Sequence, residues 1–400
     1  MKKFVKLSLV AAVAVAGLTT ANAKPLEEAI KDVDVSGTVV YRYDDRNNDV
    51  GGASAVNNNY KIGLNLKSKV NDDVTANFRI ITATGINTNQ SFAGLDTASN
   101  DANPSLNLSQ VNFAYTGIAN TTVIVGKQGL TTPWTVAADS DSNEQTGTGI
   151  LALSTVGPVT IAGAYFNQTN LGVSGDDIAT VNALSSYANG GGNNVATVGV
   201  MANVGPVSLD AWYLDMADVF DSYTLGAKAS FDLDAVTLGA DLRYTALSVD
   251  SQTGQASNAD DHDLVKLTLT AKAGIVDAKL AFAKTDKEGG LVALDDDATT
   301  TIQGWMVNPT NKADATFVQA SVGVQAMDSV HVSANYTEVE SRAVGATVDT
   351  EEEEVYAQLT YKMSKNLSSY VRFGQYESKP TNGAKTNDDT RGRLQVQYSF

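Results

Sequence analysis

The stretch RGRLQVQYSF, residues 391–400, decides how the rest of the chain is read. Arg391, Arg393, Gln395 and Gln397 alternate with Leu394, Val396, Tyr398 and Phe400. Successive side chains of a strand point to opposite faces. The stretch is therefore a strand with one polar and one apolar face, and it stops on an aromatic residue. The last residues of a soluble domain usually fray; here they carry one of the cleanest patterns in the chain.

The same period of two recurs upstream. Val330, Val332, Ala334 and Tyr336 alternate with His331, Ser333, Asn335 and Thr337. Val236, Leu238, Ala240, Leu242 and Tyr244 alternate with Thr237, Gly239, Asp241 and Arg243. Val355, Ala357, Leu359 and Tyr361 alternate with Tyr356, Gln358, Thr360 and Lys362. Such strands suit a closed barrel with lipid outside and water inside, or a soluble sandwich whose apolar faces meet.

The connections separate these readings. Short turns near 70–73, 117–120, 155–158, 203–206, 231–234, 273–275, 326–329 and 363–366 alternate with long polar segments at 44–59, 84–107, 128–146, 168–194, 215–222, 249–262, 286–315, 341–353 and 377–390. Strict alternation of short turns and long loops belongs to outer-membrane barrels. The expected fold is all-β, a transmembrane antiparallel barrel of about eighteen strands. They are placed near 33–43, 60–70, 73–82, 108–116, 120–127, 147–155, 158–167, 195–203, 206–214, 223–230, 233–248, 263–272, 276–285, 316–325, 330–340, 354–362, 366–376 and 391–400. An even count leaves both termini on the periplasmic side. Pro158 and Pro206 fall at strand starts, where a missing N–H does least harm. Tyr41, Tyr43, Tyr60, Tyr115, Tyr165, Tyr223, Phe231, Tyr336 and Phe400 fall near strand ends, as aromatic girdles would.

Export is written at the other end. Lys2, Lys3 and Lys6 precede an apolar run over 7–18, and Ala21-Asn22-Ala23 offers small residues for cleavage. Residues 1–23 read as a signal peptide, with the barrel domain over 24–400 and an outer-membrane destination. The full chain has a net charge of −17, and removing three lysines makes the mature charge −20. A protein this acidic is not built for nucleic acid. It has no cysteine, so no disulfide holds it.

KPLEEAIKDVDVSGTVVYRYD, starting at Lys24, together with VIVGKQGLTTPWT at 123–135 and TGTG at 146–149, resembles the major outer membrane proteins of Campylobacter-type (epsilonproteobacterial) bacteria. The resemblance covers residues 1–43 and about 111–167. It implies a trimeric, cation-selective porin of eighteen strands with its third outer loop folded into the lumen. It also implies lipopolysaccharide and outer-membrane lipid as surroundings, and small hydrophilic solutes and cations as cargo. A terminal phenylalanine strand resembles the signal read by the barrel assembly machinery, which assigns that role to Phe400 and Tyr398.

On this reading, Asp139, Asp141 and Glu144 in the third loop line a constriction. Arg42, Arg79, Arg243, Arg372, Arg391 and Arg393 lie on the polar phase of their strands and face them, or pair locally with wall acids such as Asp34 or Asp241. The resemblance further implies a calcium ion held by Asp139, Asp141 and Asp177. The acidic runs at 295–297 and 351–354 read as solvated loop tips or lipopolysaccharide-proximal sites. Catalysis has little support: His262 and His331 are the only histidines, and neither has a triad arrangement. The expected function is passive diffusion through a water-filled channel. Its rivals are a substrate-specific channel and a surface adhesin or antigen that uses the barrel as scaffold.

Overall fold

The computed structural model describes residues 33–51, 54–83, 92–95, 105–172, 174, 192–250, 261–342 and 348–400. The signal segment 1–23, the mature start at Lys24 and Asp177 lie outside them. The described strands are β1 (Val33–Asn48), β2 (Ala55–Lys69), β3 (Val74–Ala83), β4 (Ala93–Gly94), β5 (Ser105–Ile118), β6 (Thr121–Gly129), β7 (Thr146–Val156), β8 (Val159–Thr169), β9 (Val195–Val204), β10 (Val207–Met216), β11 (Phe220–Leu233), β12 (Val236–Val249), β13 (Asp261–Ala273), β14 (Val276–Thr285), β15 (Ala313–Met327), β16 (Val330–Arg342), β17 (Thr350–Lys362), β18 (Leu367–Pro380) and β19 (Asn387–Ser399). β4 is a two-residue addition to the edge of β2 within the β3–β5 connection. The other eighteen strands form one antiparallel ring that closes where β1 pairs with β19.

Burial is inverted relative to a soluble protein. Val39, Leu242, Val355, Leu359 and Phe373 are exposed, while Arg42, Lys61, Arg243 and Gln395 are buried. Lipid covers the first set, and the second set lines an interior where polar groups bond one another. The alternation in the sequence is therefore apolar-out and polar-in.

Several strands run further than the sequence pattern placed them. β1 continues through Asp44–Asn48, and β17 begins at Thr350, so Glu351–Glu354 are paired strand residues and not a loop tip. The reason is physical. Barrel strands extend beyond the hydrocarbon belt, and there both faces are polar, so hydrophobic alternation ends before the hydrogen-bonded ladder does.

Apolar packing sits inside the barrel in two places. One cluster gathers Leu130, Trp134, Phe166, Leu214, Phe220 and Leu247 with Leu294. The other gathers Leu264, Val292, Val307, Phe317 and Val339. In each, inward-facing apolar residues of the upper strands receive residues from a connecting segment: 130–145 in the first, 286–312 in both.

The seam is fastened at its end. The Gly37 amide donates to the Phe400 carbonyl at 2.9 Å, and the Phe400 amide donates to the Gly37 carbonyl at 3.0 Å. The Phe400 ring stacks with Tyr398, centroids 5.7 Å apart, and lies over Gly37, where a Cβ would come within 2.8 Å of it. The folded barrel should migrate differently on gels before and after boiling, and Gly37→Val should reduce the fast-migrating unboiled fraction by severalfold. A Gly37→Val protein with a wild-type unboiled fraction would show that the seam does not need this close approach.

Candidate functional site

The segment between β6 and β7 is shaped by its own short-range bonds before it meets the walls. Leu130 N–H donates to the Gln145 carbonyl at 2.8 Å, closing its base. At its tip the Asp139 carboxylate accepts from the Asn143 amide and the Asn143 side chain, each at 2.7 Å. This local loop of hydrogen bonds, with Ser142 at φ 63°, presents Asp141 outward from the turn.

The walls then grip it. Arg42 on β1 donates to Asp141 at 2.5 Å and to the Ser140 carbonyl at 2.8 Å, and Arg393 on β19 donates to the same Asp141 oxygen at 2.9 Å. Lys61 on β2 donates to the Ser142 carbonyl at 2.7 Å. Arg79 on β3 forms a forked pair with Glu144, 2.7 Å at its shortest, and Ser109 on β5 donates to Glu144 at 2.5 Å. On a distant part of the ring, Trp134 donates from Nε1 to Ser222 of β11 at 2.8 Å. The segment thus joins strands that are not neighbours in the sheet.

A second segment meets it. The Leu294 amide donates to the Trp134 carbonyl at 2.9 Å, the Thr300 amide to the Pro133 carbonyl at 3.0 Å, and Gln145 donates to the Leu294 carbonyl. The Ser140 amide donates to Asp297 at 2.6 Å. Residues 286–312 are held from their other side by Lys266, which donates to the Thr301 carbonyl at 2.6 Å, and by Glu354, which accepts from the amides of Trp305 and Met306 at 2.6 Å each. The runs 295–297 and 351–354 are therefore not solvated loop tips. The first packs on the third loop, and the second carries the carboxylate that anchors this segment.

The sequence reading took 286–315 as a solvated outer loop. A signal against that was present: LVAL at 291–294 and WMV at 305–307 are too apolar for a loop in water. No periodicity marks them, because a segment packed by irregular backbone has none.

Of the residues singled out in the sequence, Arg42, Arg393 and Asp141 meet in one ion-paired group, and Arg79 meets Glu144 in another. They touch and do not face each other across a gap. Arg243 pairs instead with Asp210 on β10 at 2.8 Å, a local wall acid other than Asp34 or Asp241. Arg391 pairs with Asp389, and Arg372 donates to Gln358 at 2.8 Å. His331 bonds Asp277 at 2.8 Å as a wall residue.

Electrostatics differ sharply between two aspartates of these segments. Burial opposes ionisation of Asp141, but Arg42 and Arg393 outweigh it and hold its carboxyl below the usual range. Burial, reinforced by the charge of Asp139, pushes Asp295 up to about 8. Asp295 is 1% exposed, and its Oδ2 has no hydrogen-bond partner among the described residues. A divalent cation would suit that oxygen, with Asp139 beside it. Asp141 is occupied by two guanidinium groups and is a poor candidate ligand. Among the described residues no group of three metal-ligating side chains comes together.

A closed antiparallel barrel with an apolar exterior and a polar interior defines an outer-membrane channel of the porin class. The profile of the Campylobacter major outer membrane protein matches residues 1–400, and the chain belongs to that family. None of the curated proteins matches it. Among solved structures it is similar to Pseudomonas aeruginosa OccK2 (OpdF) in complex with glucuronate, at TM-score 0.75 and 16% identity over 92% of this chain and 98% of that one. It is also similar to P. aeruginosa OpdL, at 0.73 and 17% over 92% and 99%. Acinetobacter baumannii OccAB3 follows at 0.72 and 14% over 92% and 99%. These likenesses are of fold.

Removing one partner of a buried ion pair strands the other, at a cost of about 3–5 kcal/mol. Glu144 is 1% exposed and carries the Arg79 pair. Glu144→Ala should therefore loosen residues 130–145 and make single-channel current visibly noisier, with protease cutting within the segment. A quiet, protease-resistant Glu144→Ala channel would mean that this pair does not hold the loop.

Proposed function

We propose that the two packed segments lie in the lumen and form the constriction of a cation-preferring channel for small hydrophilic solutes, in which no bond chemistry takes place. The observation that carries this reading is the junction itself. Asp139 and Asp297 gather where the segments meet, beside an Asp295 that burial holds protonated at neutral pH, while Arg42, Arg79 and Arg393 are each met by a carboxylate of the third loop. Acids concentrated at a narrow, poorly screened place attract cations far more than rim charges do, since exposed charges are screened within ~8 Å at physiological salt.

Asp139→Asn, Asp141→Asn and Glu144→Gln together remove three carboxylates and leave three wall arginines without their loop partners. The zero-current potential in a KCl gradient should move toward anion preference. Glu338→Gln with Glu340→Gln, on the outward phase of β16, should move it much less. A larger shift in the outward pair would overturn the acidic constriction.

A calcium ion at the same junction belongs to this proposal, with Asp295 and Asp139 as the two carboxylates that would reach it and Asp177 lying outside the described residues. Proton linkage gives the sign. Asp295 ionises near 3.8 in an unfolded chain and near 8 in place, so the folded form binds the proton more tightly. The stability this contributes is full below pH 4 and is lost as pH rises through 8. A bound divalent cation replaces that proton, so calcium should raise the melting temperature more at pH 8.5 than at pH 6, and Asp295→Asn should abolish the difference. Equal stabilisation at both pH values would exclude Asp295 as a ligand.

The partners that go with this reading are a homotrimer in lipopolysaccharide and outer-membrane lipid. The barrel assembly machinery would recognise the Phe400 and Tyr398 strand. A second reading, a substrate-specific channel, is favoured by the arginines and aromatic rings that surround Trp305, and one structural relative is a complex with glucuronate.

A further inference from the structure

Like charges directly opposite each other on neighbouring strands destabilise a sheet. This barrel does it twice within a few residues. Arg372 on β18 is registered with Arg393 on β19, and Arg391 on β19 with Arg46 on β1. All four side chains are on the inward phase. Arg391 and Arg393 are offset by Asp389, Asp44 and Asp141, whereas Arg372 has no ion pair among the described residues.

The second inward segment brings an aromatic to the same place. Trp305, fixed by the two amide bonds to Glu354, has the Arg372 guanidinium 5.0 Å from its ring centroid and that of Arg393 at 5.8 Å. Tyr356 and Tyr370 flank Arg372 at 5.0 Å and 5.4 Å. Of the guanidinium nitrogens of Arg372, only Nε makes a hydrogen bond among the described residues, to Gln358, and no carboxylate there pairs with it. Its terminal nitrogens donate no hydrogen bond there, although the guanidinium lies against three rings and its charge acts on Glu354. Arg393, by contrast, is consumed by Asp44 and Asp141.

Trp305, Arg391 and Arg393 line a cavity of about 360 Å³ together with Asp44, Asp45, Arg46 and Asn57. The Nε1 of Trp305 is buried without a partner among the described residues. Arg372 is not itself among the residues lining this cavity but lies against the Trp305 ring that does. The cavity and its margin thus combine an indole, a guanidinium whose terminal nitrogens make no hydrogen bond among the described residues, and side-chain amide and carboxylate acceptors. An indole face suits the C–H face of a sugar ring, a guanidinium fork suits a carboxylate in bidentate geometry, and the acceptors suit hydroxyls.

We propose that Arg372 and Trp305 form a transit subsite for acidic monosaccharides, with the sugar carboxylate on the Arg372 fork and the ring against Trp305. The proposal rests on the channel reading and deepens its substrate-specific form. It is compatible with cation preference for free ions, because the open fork is local and the junction acids lie on other elements.

The test is planar-bilayer recording of the full-length refolded protein, with sodium glucuronate, glucose or glucosamine hydrochloride added and ionic strength held constant with KCl. Block is expressed as a fraction of each variant's own open-channel current, and unboiled gel migration shows that each variant has folded. Glucuronate should reduce the current in a saturable way, and glucose and glucosamine should require at least about tenfold higher concentration for the same effect. Arg372→Gln should weaken the glucuronate block by about tenfold or more, a change equivalent to losing one charge-assisted hydrogen bond. Trp305→Leu, which keeps the guanidinium, should weaken it by severalfold. Equal block by glucuronate and glucose, or an Arg372→Gln channel blocked like wild type, overturns the subsite and leaves the channel reading intact. A folded wild-type protein that passes no current would overturn the channel reading itself.

Discussion

Everything in this molecule depends on one requirement: a sheet in hydrocarbon must leave no backbone hydrogen-bonding group without a partner. The pairing of β1 with β19 meets it, and the reciprocal bonds between Gly37 and Phe400 complete the ring at its end. Once the ring is closed, no cysteine or covalent tie is needed, and the alternation of side chains assigns each residue to lipid or to lumen. Gly37 leaves room both for the Gly63 carbonyl, which would stand 2.5 Å from a Cβ there, and for the terminal ring that lies over it.

Closure creates a second problem inside. Inward charges cannot rely on bulk water near the crossing segments, so they are satisfied by one another. Arg42 and Arg393 share Asp141, Arg79 takes Glu144, and Glu354 spends its carboxylate on two backbone amides. Buried ion pairs of this kind add little net stability, but breaking one is costly. They act as position markers, fixing where each segment stops against the wall. Two exceptions matter: among the described residues, Asp295 Oδ2 and the terminal nitrogens of Arg372 make no hydrogen bond.

The barrel was legible because its signal is strictly periodic. The eighteen ring strands, their order and their inward and outward phases follow from alternation and from the spacing of turns. Strand ends were less legible. Glu351–Glu354 and Asp44–Asn48 are polar on both faces, and the pattern cannot distinguish a strand in the headgroup region from a loop. The site was legible in part. Asp141 and Arg42 were identified as facing partners, but their direct contact is a matter of side-chain reach, which the sequence does not contain. Trp305 was missed, and Asp295, noted only within the acidic run at 295–297, was read as a solvated tip, because both sit on irregular backbone whose clue was apolar content in a segment that should have been polar.

The two crossing segments hold each other through an apolar cluster, with Trp134 and Leu294 joined at its centre. In the proposed channel, the aperture is therefore set by packing of the kind found in the heart of a soluble domain. Such packing is driven by the release of ordered water, and it weakens on cooling while salt bridges do not. A junction built this way carries a thermal character of its own: warmth strengthens the apolar cluster that joins the two segments, and cold weakens it.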